Sequence, residues 1–121
     1  MKYKISLSED RTYVRIRVLE AITKDMEREF AEKAINKARQ NKIRKYLVDV
    51  RQAPNVSSIA EQYLFGREDM DRMSLDRFSK LAILAEAEDK SHNFIETVFQ
   101  NARYNCRLFV DEASALRWLK K

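Results

Sequence analysis

The sequence of 121 residues contains one cysteine, one proline, one glycine, one histidine and one tryptophan. The lone cysteine, Cys106, can form neither an internal disulfide nor an all-cysteine metal site, which fits a reducing, cytoplasmic setting. With Gly66 as the sole glycine, the glycine-rich loops that cradle phosphates in P-loop and dinucleotide-binding proteins are excluded. So few glycines and prolines also rule out collagen-like and low-complexity chains. One histidine, His92, without a repeated CxxC or HxxxH spacing, gives no expectation of a metal or cofactor beyond a weak carboxylate site. The longest uninterrupted apolar run covers residues 81–85, too short for a transmembrane span or a signal-peptide core.

What is present is 45% hydrophobic and 36% charged residues, with 24 Lys and Arg against 19 Asp and Glu. A chain of this length buries about two-thirds of its unfolded surface, so residues 1–121 are expected to fold as one domain without staples. The net charge of +5 raises the question of nucleic acid or an anionic membrane. Its densest piece spans residues 37–45, with Lys37, Arg39, Lys42, Arg44 and Lys45 and no acid. That run reads first as the end of a helix, where cations complement the negative end of the dipole.

Tyr3, Ile5 and Leu7 alternate with Lys2, Lys4 and Ser6. After Ser8-Glu9-Asp10-Arg11, Val14, Ile16 and Val18 alternate with Tyr13, Arg15 and Arg17. Period two on both sides of a short polar turn predicts a hairpin at a sheet edge, with one buried face and one solvated, basic face. From Thr23 the period becomes helical through Met26, Phe30, Ala31, Ala34, Ile35 and Ala38. Thr23 is the expected N-cap, and Glu29 with Lys33 an i,i+4 pair. Three nearly continuous apolar runs follow, Tyr46-Leu47-Val48-Asp49-Val50, residues 81–85 and Leu108-Phe109-Val110, which predict strands covered on both faces. Ser58 with Glu61 and Asn93 with Glu96 read as capping boxes of the intervening helices, and Asp111 as the cap of a last helix carrying Leu116 and Leu119. The charged residues 66–77 are expected to extend the second helix. The order β-β-α-β-α-β-α-β-α predicts an α/β layered domain with a mixed, mostly parallel sheet.

Ligands of parallel α/β sheets bind at the carboxyl ends of the strands. That rim holds Asp49, Arg51 and Gln52, then Glu86, Glu88, Asp89 and His92, then Asp111. Enzymatic use of the rim would centre on His92 and a carboxylate pair such as Asp49 with Glu86. Acids near helix starts more often serve the helix dipole, and a strand cysteine such as Cys106 more often serves as a small apolar residue than in a dyad with His92. Nucleic-acid binding would use Lys4, Arg15 and Arg17 with Tyr13 as a stacking surface on the hairpin. A solvated edge hairpin accounts for the same residues.

The order of elements, Tyr46-Leu47-Val48-Asp49-Val50-Arg51, Lys80-Leu81-Ala82-Ile83-Leu84, His92-Asn93-Phe94-Ile95-Glu96-Thr97-Val98 and Arg107-Leu108-Phe109 ahead of Ala115-Leu116-Arg117-Trp118-Leu119 together resemble the SpoIIAA-like proteins, grouped with the STAS (sulfate transporter and anti-sigma antagonist) domains. The resemblance covers essentially the whole chain, and its closing segments are familiar from small bacterial and archaeal proteins of unknown role. It implies a non-enzymatic regulatory module that binds a protein partner or a small hydrophobic or anionic ligand, and some STAS domains also resemble lipid-binding domains in fold. Anti-sigma antagonists carry a phosphorylatable serine directly after the Asp that closes the third strand. Here Asp49 is followed by Val50-Arg51-Gln52-Ala53-Pro54-Asn55-Val56, and serines come only at Ser57 and Ser58, which are the expected phosphorylation positions if any exist. The expected binding surface is Asp49, Arg51, Ser57, Ser58, Tyr63, Phe65 and His92.

Overall fold

In the computed structural model, which describes residues 2–121, strands β1 (Tyr3–Leu7) and β2 (Val14–Val18) pair antiparallel with Ile5 opposite Ile16. The Ser8 hydroxyl accepts from the backbone N–H groups of Thr12 and Tyr13, which closes the turn between them. The chain then becomes helical over α1 (Lys24–Gln40), capped as expected by the Thr23 hydroxyl at the N–H of Met26. Strands β3 (Lys45–Asp49), β4 (Lys80–Leu84) and β5 (Asn105–Phe109) follow, each parallel to its predecessor and to β2.

The sheet order β1-β2-β3-β4-β5 is also the chain order. Right-handed crossovers that always advance in one direction must put every crossover helix on the same face. Accordingly α1, the segment between β3 and β4, and α4 (Asn93–Asn101) share one face, and α5 (Glu112–Lys120) packs on the other against β3, β4 and β5. The larger core lies under the three crossovers and includes Ile16, Phe30, Tyr46, Phe65, Ile83 and Phe99; the smaller one under α5 is Tyr13, Leu47, Ala82, Leu84, Ala115 and Leu119.

The second crossover begins as α2 (Ile59–Leu64), whose capping box is present in both directions between Ser58 and Glu61. It widens into one π-helical turn (Phe65–Asp69) and ends as α3 (Met70–Arg72), so part of the charged stretch does extend the second helix. Gly66 lies in the wide turn, where an added Cβ would come within 2.5 Å of Val98 Cγ1 on α4. Arg39, from the basic run, donates to the carbonyls of Met73 and Ser74 beyond α3, a structural use of one of its cations.

One expectation fails here and another holds only in part. Asn93 does not cap α4, which starts after His92 without a side-chain cap, because Glu96 instead accepts the backbone N–H of Leu108 on β5 at 2.7 Å. The last apolar run is covered on both faces only in part: Leu108 packs on the larger core and Phe109 beside Trp118 on the smaller, both partly buried, while Val110, past the end of β5, is 61% exposed.

Candidate functional site

Strand parity decides where the rim residues go. Arg15 aligns with Leu47 and Arg17 with Asp49, so these side chains share the face of the sheet that α5 partly covers. Asp49, 3% exposed, binds Arg51 through both carboxylate oxygens, Nε to Oδ1 at 2.9 Å and Nη2 to Oδ2 at 2.7 Å, and Arg15 Nη2 at 3.0 Å. Both guanidiniums also reach Glu112 at the start of α5, at 3.3 Å and 3.2 Å. Burial opposes ionisation of Asp49, but the Arg51 hydrogen bonds and the charges of Arg51 and Arg15 outweigh it and hold its carboxyl below the usual range. A carboxylate so committed is a clamp joining β2, β3 and α5. It is poorly placed to take up a proton as a base.

The same geometry takes away the stacking surface that nucleic-acid binding on the hairpin would need. Tyr13 is buried under α5, and Arg15 is drawn into the clamp.

The remaining predicted residues lie on the opposite face, around the second crossover. Ser58 spends its hydroxyl on the N–H of Glu61, while Glu61 holds the Ser58 N–H with its carboxylate. The Ser57 N–H donates to Asn55 Oδ1, and its hydroxyl lies 3.5 Å from the Ile22 carbonyl. Tyr63 is half exposed, and Val56, Ile59 and Leu64 nearby in the chain are exposed as well. Phe65 is not part of that surface. At 3% exposure it points inward, stacked edge-on against Phe99.

His92 is buried at the start of α4, its Nε2 2.9 Å from the Ala53 carbonyl. A carbonyl only accepts, so Nε2 carries the proton and donates it there. Burial lowers the imidazole pKa against the opposing pull of Asp89, whose Oδ2 lies 3.5 Å from the same nitrogen, so this contact is not an ion pair at neutral pH. Cys106 is buried on β5, and burial together with the Glu96 charge pushes its thiol pKa up, away from nucleophilic thiolate.

Behind His92 a cavity of about 70 Å³ opens between the sheet and the crossover helices. Its walls are apolar side chains such as Ile16, Phe30, Val48, Phe65, Ile83 and Ile95, with His92, Glu27 and Tyr46 as the members that carry polar groups. Glu27 is 6% exposed, and its Oε1 has no hydrogen-bond partner among the described residues. Burial, with the nearby charge of Asp69 added, pushes its pKa up to about 8, so the carboxyl is mostly neutral at pH 7. Asp69 itself is held by Arg28 at 2.7 Å and Arg72 at 3.4 Å. Sequence reasoning missed Glu27 because an acid in a first helical turn reads as a dipole partner. The available signal was its position: residue 27 precedes Phe30 and Ala31 by three and four, on the apolar stripe of α1.

A family model described as SpoIIAA-like matches residues 13–120. The chain belongs to the SpoIIAA-like family. Among solved structures, this SpoIIAA-like chain is similar to an uncharacterized protein of the DUF3478 family with a SpoIIAA-like fold from Shewanella loihica PV-4. The two share 20% sequence identity over 97% of this chain and 91% of that one, with a TM-score of 0.56. That likeness is one of fold, and it agrees with the mixed, mostly parallel sheet described above. No curated protein matches the sequence. Among the described residues of this SpoIIAA-like domain, no helix is long and apolar enough to cross a membrane.

Proposed function

We propose that this chain is a non-enzymatic binding module whose ligand is a small, mostly apolar molecule held in the cavity between the sheet and α1, the second crossover and α4. Proteins of the SpoIIAA-like fold are often binding or regulatory modules. The observation that carries the reading is the Glu27 carboxyl with an unpartnered oxygen among apolar walls, since native proteins seldom leave a buried polar atom unpaired. Apolar walls with few polar groups are the usual make-up of a ligand site. An anionic ligand at the rim is less well supported, because Arg15 and Arg51 are already committed to Asp49 and Glu112.

A second reading has its own observation. Val56, Ile59, Tyr63 and Leu64 are exposed large apolar side chains close together in the second crossover, a concentration that suits a protein partner. Phosphorylation at Ser57 or Ser58 would act on this same segment, and a phosphate on Ser58 would face the Glu61 carboxylate.

Native mass spectrometry of the untagged protein, isolated gently from its own source, separates these readings. A small-molecule adduct that is lost when Ile95→Phe or Ala34→Leu fills the cavity supports the first. A second polypeptide supports the other, and an added phosphate supports modification. A bare chain that also takes up nothing from a lipophilic extract of the same cells overturns the cavity reading.

A further inference from the structure

We infer that the ligand of this cavity is uncharged and presents one hydroxyl group to the Glu27 carboxyl. The inference rests on the cavity reading above and specifies its chemistry.

The polar inventory of the cavity is short. Among the described residues its walls include no lysine or arginine. His92 donates its one proton to the Ala53 carbonyl. Of the polar side chains in the walls, Tyr46, His92 and Glu27, it is Glu27 that has a buried oxygen without a partner, and in its neutral form a carboxyl both donates and accepts. A hydroxyl has the same dual capacity and satisfies it in either direction. A ligand carboxylate would enter without a counterion and feel the negative charge of Asp69, whose own cations, Arg28 and Arg72, lie on partly exposed side chains. A ligand ammonium would have to ionise Glu27 and leave a desolvated ion pair between aromatic and aliphatic walls. A space of about 70 Å³ is about half that of an engineered apolar cavity that admits benzene, so it takes a two-carbon chain as it stands and a four-carbon chain only as α2 and the π-helical turn move outward.

The test compares 1-butanol, butyrate and butylamine, which differ only in the head group, with xenon as a purely apolar probe. Binding is read from amide shifts of residues lining the cavity in mildly acidic buffer, where butyrate is still ionised. The expected result is saturable binding of butanol, about tenfold or more tighter than butyrate or butylamine. Glu27→Gln keeps butanol binding, because an amide also donates and accepts. Glu27→Leu keeps xenon and weakens butanol about fivefold, the worth of one hydrogen bond. Butyrate or butylamine binding as tightly as butanol overturns the inference, as does Glu27→Leu binding butanol undiminished. In either case xenon uptake leaves the cavity reading standing. Failure of both xenon and butanol to bind overturns both.

Discussion

Glu27 precedes Ala31 by one turn on the buried stripe of α1, and unfolding returns its carboxyl to water. Between the ordinary value of 4.5 and the folded value of about 8, the folded chain keeps a proton that the unfolded chain has released. Stability contributed by this group is therefore fully present below pH 4.5 and falls as pH rises toward 8, by about 1.4 kcal/mol per unit. Glu27→Gln removes that slope. Urea denaturation should show the variant gaining about 3 kcal/mol on the parent between mildly acidic and mildly alkaline pH. An equal difference at both would mean that Glu27 is solvated. Asp49 has the opposite sign: its pKa is depressed, so its contribution is present above the ordinary 3.8 and disappears as pH falls below it. Asp49→Asn strands two guanidiniums that are only partly exposed, at a cost of about 2 kcal/mol at neutral pH. That difference should shrink under acid, where the parent carboxylate is protonated as well. Neither residue's role was legible from local sequence. Glu27 imitates a dipole acid, and the clamp joins residues 15, 49 and 112, which only the strand register brings together.

The second crossover shows at the level of elements how one small side chain sets a distance. On an ordinary exposed helix, replacing glycine by alanine gains about 1 kcal/mol of helix propensity. At Gly66 the new methyl would meet Val98 Cγ1 at 2.5 Å, so the turn must move away from α4. Gly66→Ala is expected to cost about 2 kcal/mol net in thermal or denaturant unfolding. Gly66→Ala with Val98→Ala should be less destabilised than the two single losses added together. Strict additivity would show that the two elements do not press on one another. Elements were the scale at which sequence reading worked best. Thr23, the Ser58 and Glu61 pair and Asp111 cap the helices as expected, because caps depend on neighbours within four residues. Asn93 and Glu96 matched the same pattern and misled, since Glu96 has a partner on β5 that no local window contains. Val110 is exposed because it lies past the end of β5, in the bend before Asp111 caps α5, a boundary that a run of apolar residues does not mark.

Across the whole molecule the two layers are unequal: three crossover segments cover one face of the sheet, and α5 covers the other. Leu119, the fully buried residue by which α5 packs on Leu47, Ala82 and Leu84, holds much of that thinner layer. Leu119→Ala should cost about 3 kcal/mol in equilibrium unfolding. It should also speed hydrogen exchange in α5 while leaving α1 protected, and equal acceleration in both would show that the layers open together. The α/β class was legible because it needs only alternation of periods. The division of the rim between two faces was not, since Asp49 ends β3 and His92 comes after β4, yet they face opposite sides of the sheet. The strand order has a further bearing, on synthesis. Each strand docks beside the one made just before it, so a growing chain can add to its sheet in the sequence in which it leaves the ribosome. The last helix is the exception. Until residues 112–120 emerge, Leu47, Ala82 and Leu84 form an uncovered greasy patch on an otherwise assembled nascent domain, the place where that domain is most open to aggregation.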